Sequence, residues 1–203
     1  MNCGTALLNT LFIGRAKKNF VLWIMLFLSA AAAAQGDKYE GVYVCTKGKA
    51  HFFSGATIEN IEATSNSTLC VLNVQTKKVY AKMQQASFIF KDKLMQEHFN
   101  ENYMETEKYP SAVLDMVIAN DIDFSKDGAY DVSLKGTLEM HGVKQNREIA
   151  GKIIVKNGQP VNGTAVFDVK LTDHKIKVPS VVGANIAESV KVDVSFDFEK
   201  YKK

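Results

Sequence analysis

Between Glu97 and Pro110 the chain reads EHFNENYMETEKYP, which gathers His98, Glu101, Asn102 and Tyr103 within six positions. A histidine beside carboxylates is the raw material of general acid–base chemistry or of a metal site. Here that chemistry would use His98 and Glu101, acting on a lipid-like substrate or joined by His51, His141 or His174 around a metal. Nothing in the spacing fixes either geometry. There is no HExxH, no close pair of cysteines and no second nearby histidine. A G-x-S-x-G elbow is also lacking, and Cys45 and Cys70 have no local partner motif for nucleophilic catalysis. The pattern therefore assigns no catalytic residue, no metal and no cofactor. The ordinary reading is architectural, with His98 buried and holding a helix to a sheet by hydrogen bonds.

The elements that must position this stretch follow from periodicity. Asp92 is suited to cap a helix, because its carboxylate can accept from the free amides of a first turn. Leu94, Met95, His98, Phe99, Asn102 and Tyr103 then recur at helical spacing and are expected on one face. Pro110 forces Tyr109 into an extended conformation and ends the crossing. Almost everywhere else the period is two. Tyr130–Met140 places Val132, Leu134, Gly136 and Leu138 against Asp131, Ser133, Lys135 and Thr137. Val190–Phe198 sets Val192, Val194 and Phe196 against Lys191, Asp193 and Ser195. Ala112–Ile118, Ile149–Val155 and Val161–Leu171 behave the same way, with weaker strands over Val42–Thr46, Ala50–Phe53, Thr57–Ala63, Thr68–Val74 and Val79–Phe90. Strict alternation marks antiparallel strands with one wet face, so the chain is all-β.

Glycines at inward positions, Gly136, Gly151 and Gly163, suit the bends of a coiled sheet and favour a closed barrel of about eight strands over a sandwich. Parity also constrains the turns. The inward set is even in Tyr130–Met140 and odd in Ile149–Val155, so paired indices must have an odd sum there. A Gly142-Val143 turn of type II′ meets that condition. Across the next hairpin the sum must be even, which excludes a two-residue Asn157-Gly158 turn and fits a three-residue Asn157-Gly158-Gln159 loop.

Residues 1–34 stand apart. Arg15, Lys17 and Lys18 precede an apolar run from Phe20, which passes into Ser29 and Ala30–Ala34. This is the pattern of a secretory signal peptide cleaved after Ala34. The run is short for a spanning helix, and an uncleaved anchor is the alternative. Three of the 25 basic residues and none of the 22 acidic ones lie in this leader, so the remainder is balanced at 22 against 22. A nucleic-acid binder needs a basic surplus or stripe, and this chain has neither. Residues 35–203 are expected to form one domain. Export would place Cys45 and Cys70 in an oxidising compartment, where they form a disulfide or remain two buried thiols.

Three stretches in order carry a family resemblance: SFIFKDKLMQEHFNENYMETEKYPSA, LKGTLEMHGVKQNREIAGKI and LTDHKIKVPSVVGANIAESVKVDVSF. Together they resemble the YceI-like family of exported lipid-binding barrels. The resemblance is weak in the first strands, and the cysteines are not part of it. It implies an antiparallel lipocalin-like barrel, periplasmic or secreted, with a cavity for one long isoprenoid or acyl chain and no catalysis. A non-enzymatic carrier of a polyisoprenoid, isoprenoid quinone or acyl lipid is then the first expectation, with only transient membrane contact. A protein-interaction module serving a membrane electron-transfer partner is a further alternative.

The expected lining comes from the inward sets. Phe88 and Phe90 precede the helix, and Phe99 and Tyr103 belong to it. Leu114, Met116, Leu134 and Leu138 come from the middle strands. Phe167, Val169, Ile176, Val192, Val194 and Phe196 come from the C-terminal part. These side chains suit an apolar ligand site, and equally the interior of a barrel with no cavity. His98 and Asn102, with Tyr103, would seal one end. Lys175 and Lys177, near His174, would meet an anionic head at the other or form a solvated, strand-like charged edge.

The leader yields the first testable outcome. The exported protein should begin at or near Gln35 and contain no tryptophan, because Trp23 is the only one in the chain. Intact mass and a fluorescence spectrum of exported protein check this, and tryptophan emission would mean that the leader is retained.

Overall fold

A computed structural model describes residues 40–55, 60–177 and 187–202. The leader, residues 57–59 of the strand expected from Thr57, and Pro179 with its neighbours in the third motif lie outside the described residues.

The alternating segments become long antiparallel strands. β1 (Val42–Ser54) and β2 (Ile61–Asn73) each run continuously where the sequence suggested two shorter pieces. β3 (Lys78–Gln84) leads through a 3₁₀ turn at Gln85–Ser87 to the two-residue β4 (Ile89–Phe90) and then to the helical crossing. After it come β5 (Ser111–Ile118), β6 (Gly128–Met140), β7 (Val143–Lys156) and β8 (Gln159–Lys170). β9 (Ser189–Asp197) and the short β10 (Glu199–Lys200) complete the set. The ladder runs β1-β9-β8-β7-β6-β5-β3-β2, and β2 pairs back to β1. Eight strands therefore close into an antiparallel barrel, which removes the exposed edges that invite aggregation.

The first parity rule holds throughout its hairpin and the second over most of its ladder, but each turn differs from the one expected. In the β6–β7 hairpin every pair has an odd index sum, from Gly128↔Val155 to Met140↔Val143. The loop is His141-Gly142, one residue earlier than Gly142-Val143, with φ of 51° and 71°. Two positive φ values make it a type I′ turn, whose twist matches the flanking strands. Histidine is unusual there, and the contacts that hold it are described below.

In the β7–β8 hairpin the sum is even over most of the ladder, as at Gly151↔Ala165 and Ile153↔Gly163. Nearest the turn it becomes odd, at Val155↔Pro160 and Lys156↔Gln159, across a bulge. The turn is the two-residue Asn157-Gly158, again with both φ values positive at 52° and 67°. Parity excluded that turn only for an unbroken ladder. The extra residue, Val161, restores the register, and Pro160 takes the buried position.

Gly136 shows why a barrel of this curvature needs an inward glycine. A Cβ there would lie 2.8 Å from the Cα of Met116 and would collide with the Asp115 carbonyl oxygen on β5. The obstructing atoms are backbone, so no side-chain rotation relieves the clash. Gly136→Ala should destabilise the barrel by roughly 1–3 kcal/mol, the usual cost of overpacking. For a domain of this size that lowers the melting midpoint by roughly 3–10 °C. Gly128→Ala in the same strand should be near neutral, since a Cβ there meets only the Tyr130 ring at 3.4 Å or more. Thermal melts of the two variants check this.

Candidate functional site

The crossing between β4 and β5 lies across one end of the barrel and leaves a mouth beside it. Helix α1 (Lys93–His98) begins at Asp92, whose carboxylate accepts from the Met95 N–H at 2.9 Å, the cap the sequence suggests. The helix then widens into a π-turn over Phe99–Tyr103, where the Met104 N–H donates to the Phe99 carbonyl at 2.9 Å. Inside an α-helix such widening often marks a functional segment. Met95, Phe99 and Tyr103 turn toward the barrel interior. Phe99 stacks on Phe52 with ring centroids 5.6 Å apart and meets Phe88 and Phe90 at 5.8 and 5.0 Å. This cluster fastens the helix to β1 and β4.

His98 and Asn102 do not seal the end. They lie on the adjoining, solvent-exposed stripe with Leu94, and Asn102 Nδ2 pairs with His98 Nδ1 at 2.8 Å. The six residues expected on one face thus divide into two stripes, each spaced by four. The apolar ring of Phe99 wins the inward position, and the polar stripe can satisfy itself in water. The expectation of a buried His98 is therefore corrected. Glu101 is also exposed, so the His98 and Glu101 pair does not face the interior. Among the described residues no group of three or more His, Cys, Asp or Glu side chains is placed to hold a metal.

Two other histidines hold the crossing in place. His141, in the β6–β7 turn, has Nε2 2.9 Å from the Glu105 carboxylate and Nδ1 3.1 Å from the His174 carbonyl oxygen. Its ring lies 4.3 Å from that of Tyr109, and Gly142 leaves room for the same tyrosine. His174 is fully buried, and its Nδ1–H donates to the carbonyls of Val143 and Met140 at 3.2 and 3.3 Å. Gln145 Nε2 donates to the Asp173 carbonyl at 2.9 Å, and the Arg147 guanidinium to that of Asp168. The three motifs singled out in the sequence thus meet at one pin. Their shared occurrence was the only sequence signal for it, since no spacing rule links Glu105, His141 and His174.

Behind the helix the interior is a series of three apolar compartments. The outermost, about 850 Å³ with its open mouth included, is walled by the phenylalanine cluster, Tyr103, Val169, Ile176 and Val192 among others. Its polar side chains are Ser54, Gln85 and Tyr103. Burial raises the Tyr103 phenol above its ordinary pKa, so it stays neutral there. The middle compartment shares Met83, Met140, Val169 and Val192 with the outer one and adds Leu138. The deepest shares Leu114, Phe167, Val194 and Phe196 with the middle one, and Met116 and Leu134 also line it. All fourteen expected lining residues therefore line at least one of these compartments. Leu114, Leu134, Phe167 and Val192 point inward and are only partly buried, whereas Met116, Leu138, Val194 and Phe196 are buried against their neighbours. From Val190 to Phe198 the wall follows about 26 Å of strand, or about 20 Å along the axis of a tilted barrel.

The lysines do not lie at the far end. Ile176 lines the outermost compartment beside the helix, so exposed Lys175 and Lys177 flank the same mouth. Nor is their segment a strand edge. Leu171–His174 is a 3₁₀ turn that ends on Lys175 at φ 56°, and the hydrogen bonds of His174 draw it under the β6–β7 turn.

Cys45 and Cys70 are free thiols in this structure, both buried.

The fold is shared with solved structures of low sequence identity. One is a polyisoprenoid binding domain from Saccharophagus degradans implicated in plant cell wall breakdown. It matches at a TM-score of 0.61 and 14% identity, over 79% of this chain and 99% of that one. BcnA from Burkholderia cenocepacia matches at 0.57 and 16%, over 73% and 94%. The YceI protein of Campylobacter jejuni matches at 0.57 and 16%, over 72% and 88%. Among curated proteins none matches in sequence. The model of the YceI-like domain matches residues 40–198, which include all eight strands of the closed barrel, and the chain belongs to the YceI-like family.

Proposed function

We propose that the barrel is a non-enzymatic carrier that takes up one long apolar chain, an isoprenoid or acyl lipid, and that it works outside the cytoplasm after loss of its leader. The observation that carries this reading is the row of three adjacent apolar compartments, which share lining residues and of which the outermost opens beside the helix. A ligand in these compartments gains its affinity by removing apolar surface from water, and few polar groups are available to bind anything else. The description of the Saccharophagus neighbour as a polyisoprenoid binding domain supports the same chemistry. Lys175 and Lys177 would face an anionic head left at the mouth, beside Tyr103.

Calorimetric titration of folded, delipidated protein with a chain-length series tests the reading. Affinity should rise by about 0.8 kcal/mol for each CH₂ buried and level off when the compartments are full. Affinity that stays flat from short to long chains would overturn the carrier and favour a protein-binding role. Phe167 lines both the middle and deep compartments, so Phe167→Trp should shorten the longest chain accepted and leave short chains unaffected.

Replacing Lys175 and Lys177 together by Ala should weaken anionic-headed ligands by roughly two- to fivefold, as exposed ion pairs do. The same variant should bind an uncharged hydrocarbon as before, and equal loss for both ligands would show that the lysines do not meet the head.

A further inference from the structure

β1 and β2 bring the two cysteines of the barrel face to face. Cys45 is paired directly with Cys70 in the antiparallel ladder, between Val44↔Val71 on one side and a break in register on the other. The next pair beyond the break is Gly48↔Thr68. Opposed residues share a face, and both side chains are buried on the inner one, Cys45 at 6% exposure and Cys70 at 0%. Cys70 also lines the deepest compartment.

The class of the pair follows from the hydrogen bonds of the ladder. The Val74 N–H donates to the Gly41 carbonyl at 2.9 Å, so Gly41 and Val74 form a hydrogen-bonded pair. Antiparallel pairs alternate between hydrogen-bonded and non-hydrogen-bonded. In the same register, Tyr43↔Leu72 and then Cys45↔Cys70 repeat the hydrogen-bonded class. That class sets the Cα atoms about 5.5 Å apart, inside the range of roughly 4.4–6.8 Å that a disulfide spans. Opposed Cβ atoms of this class lie near the upper end of about 4.5–5.5 Å, beyond the roughly 3.5–4.5 Å of a disulfide, so joining the sulfurs draws the two strands slightly together, and the break in register beside Cys45 gives the β1 backbone room to adjust.

We propose that Cys45 and Cys70 are a dithiol–disulfide couple built into the barrel wall, with a second form in which Sγ of Cys45 is bonded to Sγ of Cys70. The oxidant is an external disulfide, a small molecule or a protein. One cysteine attacks it as the thiolate, forms a mixed disulfide and releases one thiol. The facing cysteine then displaces the second thiol and closes the bridge. Two electrons and two protons leave the protein, and the external disulfide becomes two thiols. Burial, with the facing Cys45 as a secondary cause, pushes the Cys70 thiol up to about 12. Little thiolate is therefore present at neutral pH, and the folded, reduced protein exchanges slowly. The bridge ties β1 to β2 at the seam that closes the barrel. Cys45 faces Cys70 in the ladder whether or not the barrel carries lipid.

The test uses the full chain carrying Cys3→Ala, so that only the facing pair can react. The chain is refolded from denaturant in a series of oxidised and reduced glutathione mixtures, which removes access to a buried thiol as a limit. Acid trapping, alkylation and peptide mass mapping then count the thiols. Both cysteines should disappear together at one potential, linked to each other with the loss of two hydrogens. The oxidised barrel should melt several degrees above the reduced one, and reductant should reverse the gain. With Cys45→Ala added, neither the link nor the gain should form. Two thiols that survive in the most oxidising mixture, or that take up glutathione singly without joining, would overturn the proposal.

Discussion

The pairing of β1 with both β2 and β9 is the constraint on which the rest of the molecule depends. Without that seam the ladder is an open sheet with two long edges, and its apolar face has nothing opposite it. With the seam closed, every inward side chain faces another across the axis, and the space enclosed is set by strand number and tilt. β1 serves both neighbours by bending. Its register with β2 shifts on either side of Gly48, where the ring of Phe196 and the Thr68 carbonyl come so close that a side chain would not fit. Bulges of this kind sharpen the local twist, and here they fall where the sheet must curve to meet itself.

Closure of the wall leaves the ends to be settled, and this protein treats its helix end with two kinds of contact. Phenylalanines from β1, β4 and the π-turn hold the helix from inside through dispersion and burial. From outside, His141 ties the helix exit at Glu105 to the 3₁₀ turn at His174 through directional hydrogen bonds. The apolar contacts fix how deep the helix sits, and the polar ones fix where the turns lie around it. His141 occupies a left-handed backbone position that histidine seldom takes, and both of its ring nitrogens are bound. Local backbone cost is thus offset by a tertiary network.

This division explains what could be read from the sequence. Strand faces were legible because alternation is a one-residue rule, and a slip of one would turn Leu134, Phe167 and Val194 outward at once. The parity of both hairpins followed from it. Turn identity was less legible, since a single bulged residue such as Val161 reverses the parity near the loop and leaves the rest of the ladder intact. The helix face was misread for a related reason. A spacing of three or four admits two adjacent stripes, and only packing against Phe52 and Phe88 selects the one through Phe99. The end of the barrel occupied by Lys175 and Lys177 depended on a 3₁₀ turn and on hydrogen bonds from His174, neither of which has a periodic signal.

The half-buried state of the inner wall has an energetic meaning. An ordinary core packs its apolar side chains to the density of a solid, and residual cavity costs about 24 cal/mol per Å³ in measured cores. This barrel leaves Leu114, Leu134, Phe167 and Val192 only partly covered by their own neighbours. Backbone closure is what allows it. The main-chain hydrogen bonds of the wall are satisfied between strands and do not require a filled interior, whereas a sandwich would collapse its two sheets onto such a space. The glycines that let the strands coil, Gly136 above all, set the curvature of the wall around that space.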